Sequence, residues 1–194
     1  MEFPDGATPL DLDELEGLKL KHVTTRGELD ELEQANIQDG LAWLARQKQP
    51  DVLTEAFILR LHSELFGKVW SWAGTLRQTE KNIGIDPRNI PQQLRLLIDD
   101  ARYWIEHQSY SPVELATRFH HRLVKIHIFP NGNGRHARIV TDLLLTKVLH
   151  EQPIDWSAGN PLENMTVRRT EYISALREAD SGDYGRLLQF VRPD

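Results

Sequence analysis

Apolar side chains recur along this chain at three- and four-residue intervals far more often than in strict alternation, so the pattern predicts helices and little strand. Leu29, Leu32, Asn36, Ile37, Leu41 and Leu44 fall near one stripe and predict a helix over Leu29–Ala45. Leu53, Phe57, Leu61 and Leu65, spaced by four, predict a second over Asp51–Phe66, which Gly67 ends. A third, entered through Pro91, covers Ile90–His107. Ser111-Pro112-Val113-Glu114 joins a serine/glutamate capping box to a proline at the first helical position, and opens a helix running to about Ile126. Two more are expected, from Arg135 to about His150 and from Thr166 to Ala179, the last closing at Ser181-Gly182-Asp183. Between Gly74 and Asp86, the pieces Thr75–Arg77 and Lys81–Ile85 read as extended and predict a short β-hairpin. The expected class is therefore all-α, a helical bundle with one hairpin.

At 194 residues, 40% hydrophobic and 27% charged, the chain has room for one sizeable core. Its net charge of −6 argues against a surface that grips nucleic acid by counterion release. That charge is uneven. Residues 1–40 carry eleven acids and three bases, whereas Leu115 to Thr141 contains no acid and five bases: Arg118, Arg122, Lys125, Arg135 and Arg138. The expected organisation is an acidic arm, residues 1–40, packing on one globular unit, residues 41–194. Cysteine is absent, which excludes disulfides, a cysteine nucleophile and a thiolate zinc site. The acidic start lacks the basic and apolar regions of a secretory signal. The most apolar stretch, Ile139–Leu149, contains Asp142 and Lys147 and falls short of the ~20 residues of a membrane span. A cytoplasmic protein without membrane contact is expected.

The chemistry concentrates in His127-Ile128-Phe129-Pro130-Asn131-Gly132-Asn133-Gly134-Arg135-His136-Ala137-Arg138. Two glycines flank Asn133 just before a helix, so consecutive backbone N–H groups can face one anion at the positive end of the helix dipole. Arg135 and Arg138 share a helical face, and their forked donors suit phosphate oxygens. Helix stability does not explain them, because a helix N-terminus favours acids. His127, at the other end of the loop, is a proton acceptor near neutral pH. A base and a phosphate cradle are thus joined by one short loop.

Two familiar phosphate motifs do not account for it. Gly132-x-Gly134-x-x-Ala137 matches the dinucleotide fingerprint formally, but the chain offers no βαβ unit around it. No G-x-x-x-x-G-K-[ST] run exists. His120, His121 and His127 lack the spacing of a helical zinc site.

The segment His127-x-Phe129-x-Asn131-Gly132-Asn133-Gly134-Arg135-x-x-Arg138 resembles the H-x-F-x-[DE]-G-N-G-R-x-x-R signature of the Fic (Fic/Doc) family. Trp70–Gly74 with Arg77 resembles the segment before the family's flap, and Tyr172, Ala179-Asp180 and Gly182-Asp183 resemble its C-terminal helices. His22–Leu29 and Thr79–Gly84 are similar to the subfamily called mobile mystery protein B. The resemblance implies a Fic-type helical bundle with a short β-hairpin flap. It also implies transfer of AMP from ATP to a hydroxyl of a target protein. His127 would be the catalytic base. Gly132, Asn133, Gly134, Arg135 and Arg138 would bind the phosphates, and Phe129 would anchor the loop. Lys81, Asn82, Ile83 and Gly84 of the flap would dock the target. Gly134, where kinase-like relatives carry lysine, disfavours phosphoryl transfer. Asn131 stands where the family has an acid holding Mg²⁺, so it is a weak metal candidate and activity is expected to be lowered or altered. The alternative is a nucleotide-binding regulatory module that transfers nothing. The family's inhibitory pattern [ST]-x-x-x-E-[GN] is absent, since Glu16-Gly17 follows Leu12 and Glu163-Asn164 follows Gly159. Restraint could come instead from the acidic arm, with Glu28 to Glu33 over Arg135 and Arg138, or from a partner, an antitoxin or helix-turn-helix neighbour protein in a toxin-like module of a mobile element.

Overall fold

The computed structural model describes residues 12–156 and 165–192. Within them the chain forms α1 (Leu12–Glu16), α2 (Arg26–Ala45), α3 (Glu55–Phe66), α4 (Ile90–Glu106), α5 (Pro112–Ile126), α6 (Asn133–Leu143), α7 (Met165–Asp180) and α8 (Gly185–Val191). A 3₁₀ turn, Pro87–Asn89, leads into α4, and α6 widens into a π-helical turn over Leu144–Leu149.

Local chemistry moves several helix starts from where periodicity alone puts them. Helix α2 begins at Arg26 because Thr25 and Glu28 form a reciprocal cap: Glu28 N–H donates to Thr25 Oγ1 at 3.3 Å, and Thr25 N–H donates to the Glu28 carboxylate at 3.0 Å. Helix α3 begins at Glu55, where Thr54 accepts the Phe57 N–H at 3.2 Å. The capping box expected at Ser111 does not form. Ser111 makes no side-chain cap bond, and Glu114 turns to Arg118 one turn along, at 2.9 Å.

The expected β-hairpin is corrected. No strand occurs among the described residues, and the one β-bridge pairs Leu18 with Trp70. The reason is Arg77, a buried arginine. Its guanidinium donates to the carbonyls of Thr79 at 2.8 Å, of His127 at 2.5 Å and of Ile85, while its backbone N–H donates to Ile128 O at 2.9 Å. Segment 75–85 is folded around one side chain instead of being laddered to itself.

Helix α5 sits at the centre, packed against α4, α6 and α8. Leu115, Phe119, Leu123 and Ile126 of α5 meet Leu94, Leu97 and Ile98 of α4, Val140 of α6, and Ile58, Leu61 and Leu65 of α3 in one buried cluster. Each fully buried side chain of this kind contributes about 1.5–3 kcal/mol. Helix α2 lies close on α3 because Gly40 leaves no Cβ, which would meet Leu65 Cδ2 at 2.8 Å. Asn36 locks the pair, donating to Glu64 O at 3.0 Å and accepting the Lys68 N–H at 2.8 Å. The acidic segment up to residue 40 thus supplies α1 and most of α2. Among the described residues, no helix is long and apolar enough to cross a membrane.

Candidate functional site

The turn from α5 to α6 is held by buried contacts on both sides. His127 ends α5 in the left-handed region, φ +55°, which swings the following residues across the helix end. Phe129 is fully buried and stacks on His62 with ring centroids 3.6 Å apart. His62 accepts the Gly74 N–H at Nδ1, 3.0 Å, which leaves Nε2–H to donate to Asn131 O, also at 3.0 Å. Asn133 closes the turn by accepting the Phe129 N–H at 2.9 Å and donating to Phe129 O at 2.7 Å. Gly132, φ +79°, admits no side chain: a Cβ there would lie 2.8 Å from the Phe66 ring.

This frame presents the start of α6 to a cavity of about 630 Å³. The N–H groups of Asn133, Gly134 and Arg135 lie in the first turn, where no helical acceptor exists for them. His127, Arg135 and Arg138 line the same cavity, as do Ile83 and Gly84 of the neighbouring loop. Gly84 approaches so closely that a Cβ would sit 2.6 Å from that of His127. Burial, with lesser contributions from the nearby charges of Arg77 and Lys81, lowers the His127 ring to about 4, so it is neutral at pH 7.

The two arginines are held differently. Arg135 pairs with Glu33 of α2 at 2.7 Å and lies over the Phe66 ring. Arg138 lies over Tyr172, 4.7 Å from the ring centroid. Tyr172 in turn donates to His120 Nε2 at 2.7 Å. This direction follows because Thr141 donates to Ala137 O and so must accept from His120 Nδ1–H, at 3.0 Å. A buried relay of Thr141, His120 and Tyr172 thereby fixes the ring on which Arg138 lies.

Of the residues proposed from the sequence, His127, Asn131, Gly132, Asn133, Gly134, Arg135, Arg138, Ile83 and Gly84 share the cavity. Phe129 lies beneath it. Lys81 does not line it; its ammonium makes a buried ion pair with Glu14. Asn82 is exposed outside it. Glu28 caps its own helix, whereas Glu33 reaches Arg135. Arg77, His62, His120 and Tyr172 position the site and were not proposed. Their signal, a polar residue at an apolar position of a helix or loop, is common to many structural residues.

The donor set does not suit Mg²⁺. Asn131 Oδ1 accepts the Gly132 N–H at 2.7 Å, so the amide oxygen is turned into the loop's own backbone. Among the described residues, the one carboxylate lining the cavity is Asp180, which pairs with His121 at 3.0 Å and Lys125 at 3.2 Å. Among the described residues no group of three acids and histidines is arranged to hold a metal. A hard divalent cation takes oxygen ligands with carboxylate among them, and this wall offers arginine instead.

Residues 52–145 match the model of the Fic/DOC family. Protein adenylyltransferase fic-1 of Caenorhabditis elegans is 28% identical over 152 residues, 74% of this chain and 27% of that protein. Protein adenylyltransferase Fic of Drosophila sechellia is 30% identical over 138 residues, 69% of this chain and 26% of that protein. The chain thus spans about a quarter of the length of these curated relatives. Among solved structures, BepC of Bartonella tribocorum with bound AMPPNP superposes with a TM-score of 0.70 at 19% identity, covering 97% of this chain and 93% of that one. A fragment of Fic-1 from C. elegans superposes with a TM-score of 0.65 at 24% identity, covering 94% and 54%.

Proposed function

Residues 52–145 of this chain form a Fic/DOC family domain, and from that premise we propose that the protein transfers AMP from ATP to a hydroxyl side chain of a target protein. The observation that carries the proposal is the single cavity shared by His127, the free end of α6, Arg135 and Arg138. Relatives of this domain are protein adenylyltransferases, which supports the same reaction here.

In this reading the target hydroxyl lies beside His127, between the ring and the loop at Ile83 and Gly84. The neutral imidazole takes the hydroxyl proton as the oxygen attacks the α-phosphorus. The bond from that phosphorus to the bridging oxygen breaks, and pyrophosphate leaves. N–H groups of Asn133, Gly134 and Arg135 face the phosphate oxygens, and the two guanidinium groups neutralise charge on the departing pair. The Mg²⁺ that the family resemblance implies has no step here, because the donor set does not suit it. Supply of ATP suits a cytoplasmic protein, and a toxin-like role with an antitoxin or helix-turn-helix neighbour remains part of this proposal through the subfamily resemblance alone.

A second reading, nucleotide binding without transfer, is favoured by one feature, the committed amide of Asn131. ATP labelled separately at the α- and γ-phosphate, incubated with parent and His127→Ala proteins, tests both. Transfer is expected for α-label only, and only with the parent. Binding without α-label transfer would leave the regulatory reading.

A further inference from the structure

We propose that Trp156, in the segment between α6 and α7, is a positioning residue for Arg138: with Tyr172 it forms an aromatic corner that holds the guanidinium over ring faces and leaves its N–H groups to the departing phosphate pair. The inference rests on the nucleotide reading above and extends it to a residue that does not line the cavity.

Arg138 Cζ lies 4.7 Å from the Tyr172 ring centroid and 5.7 Å from that of Trp156. Both distances fall within the ~6 Å over which a ring face attracts a cation. The two rings stand at 85° with centroids 6.4 Å apart, so they are two walls of one corner. Each wall is pinned at its polar tip. Tyr172 donates to His120 Nε2 at 2.7 Å, and the Trp156 indole N–H meets both oxygens of Asp142, at 3.1 and 3.2 Å. The His120 ring packs against both walls, 4.6 Å from the Trp156 centroid and 5.8 Å from that of Tyr172. Asp142 stands one turn beyond Arg138 on α6, the spacing of a helical ion pair. Its carboxylate takes instead the indole and the N–H of Ile154, the latter at 3.1 Å, and Ile154 is itself buried in the core. Arg135 is thus tied to an acid, whereas Arg138 is carried on rings. The difference matters to a phosphate. An ion pair commits N–H groups of a guanidinium to the acid, while the attraction of a ring face holds the group and leaves its planar fork to an anion. Of the three side chains in the corner, Arg138 and Tyr172 line the cavity and Trp156 does not, so the indole acts on the nucleotide through Arg138.

Isothermal titration of a non-hydrolysable ATP analogue and of AMP tests this in a double-mutant cycle of Trp156→Leu with Arg138→Gln. Each fold is checked by circular dichroism, and Trp156→Phe, which keeps a ring, carries the same cycle if the leucine variant does not fold. Every protein is also titrated with Glu33→Gln added, so that the Glu33 contact cannot mask binding. Trp156→Leu is expected to weaken the ATP analogue about tenfold and Trp156→Phe about threefold, the scale of a desolvated cation–π contact and of its partial loss. Binding of AMP, which lacks the outer phosphates, is expected to change by less than about twofold. With Arg138→Gln already present, either replacement is expected to change binding of the ATP analogue by less than about twofold, because the group it positions is gone. A loss equal for both nucleotides, a loss that persists in full without Arg138, or parent-like binding by the Trp156 variants overturns the inference and leaves the nucleotide reading standing. Absence of binding of either nucleotide by the parent and by Glu33→Gln overturns the nucleotide reading and this inference with it.

Discussion

Glu33 of α2 and Arg135 of α6, 102 positions apart in sequence, form an ion pair of 2.7 Å, and the second Glu33 oxygen position is secured by the indole N–H of Trp70, also at 2.7 Å. The Glu33 side chain is 6% exposed and that of Arg135 39%. A buried acid therefore occupies one of the guanidinium groups that a phosphate would need.

Glu33→Gln removes this competition while keeping an acceptor for Trp70. Nucleotide affinity is expected to rise about tenfold, the scale of one charge-assisted hydrogen bond released to the ligand. Titration calorimetry of parent and variant decides it. Affinity that stays level or falls would mean that Glu33 only holds α2 in place.

The pH dependence of transfer follows from the burial of His127. A base with a pKa of about 4 is already neutral at pH 5.5, so the α-label transfer rate is expected to stay level from pH 8 to about 5.5. The acid limb lies near pH 4 and not near the usual ~6.5. An inflection at the ordinary histidine value would show that the ring is solvated in the working complex, against the buried geometry.

Stability carries the same sign. Burial lowers His120 to about 3 and His136 to about 4, and lowers His62 well below the ordinary range. In the unfolded chain these rings titrate near ~6.5, so below that value the unfolded state binds more protons. Their contribution is complete above that pH and is lost as pH falls toward the folded values. His120 and His136 each lose roughly 2 kcal/mol at pH 5. Urea midpoints at pH 7.5 and pH 5 measure the loss, and equal midpoints would contradict the burial of these rings.

Glu14 and Lys81 pair with side chains 9% and 3% exposed, tying α1 to the loop beside His127. Glu14→Gln takes one carboxylate away from the buried ammonium and is expected to lower stability, by up to about 3 kcal/mol. Adding Lys81→Met should recover much of it, since a buried pair and an apolar replacement differ little. A Glu14→Gln protein that unfolds like the parent in urea would remove this pair from the account of the loop.

What the sequence disclosed follows from where its signals are local. Periodicity gives α3, α4 and α5, since each turns one apolar stripe to the core. The glycine-flanked loop with His127 and two arginines gives the cavity, because backbone donors and a helix start are written in consecutive residues. The hairpin failed for the opposite reason: Arg77 reaches carbonyls at Thr79, His127 and Ile85, and no local pattern announces a guanidinium that takes the place of a strand partner. Glu33 was legible as an acid in an acidic arm, but its choice of Arg135 depends on Gly40 and Asn36 bringing α2 against α3. The relay from Thr141 through His120 to Tyr172, whose ring lies under Arg138, joins three helices and is likewise invisible to spacing.

The contacts of Arg77 also govern how the site can move. One guanidinium holds the loop that borders the cavity and the carbonyl of the histidine across from it, so both hang from the same rivet. Any shift of that loop carries His127 along with it. The gap between the His127 ring and that loop is thereby set once, during folding, and travels as a fixed gauge whatever enters the cavity.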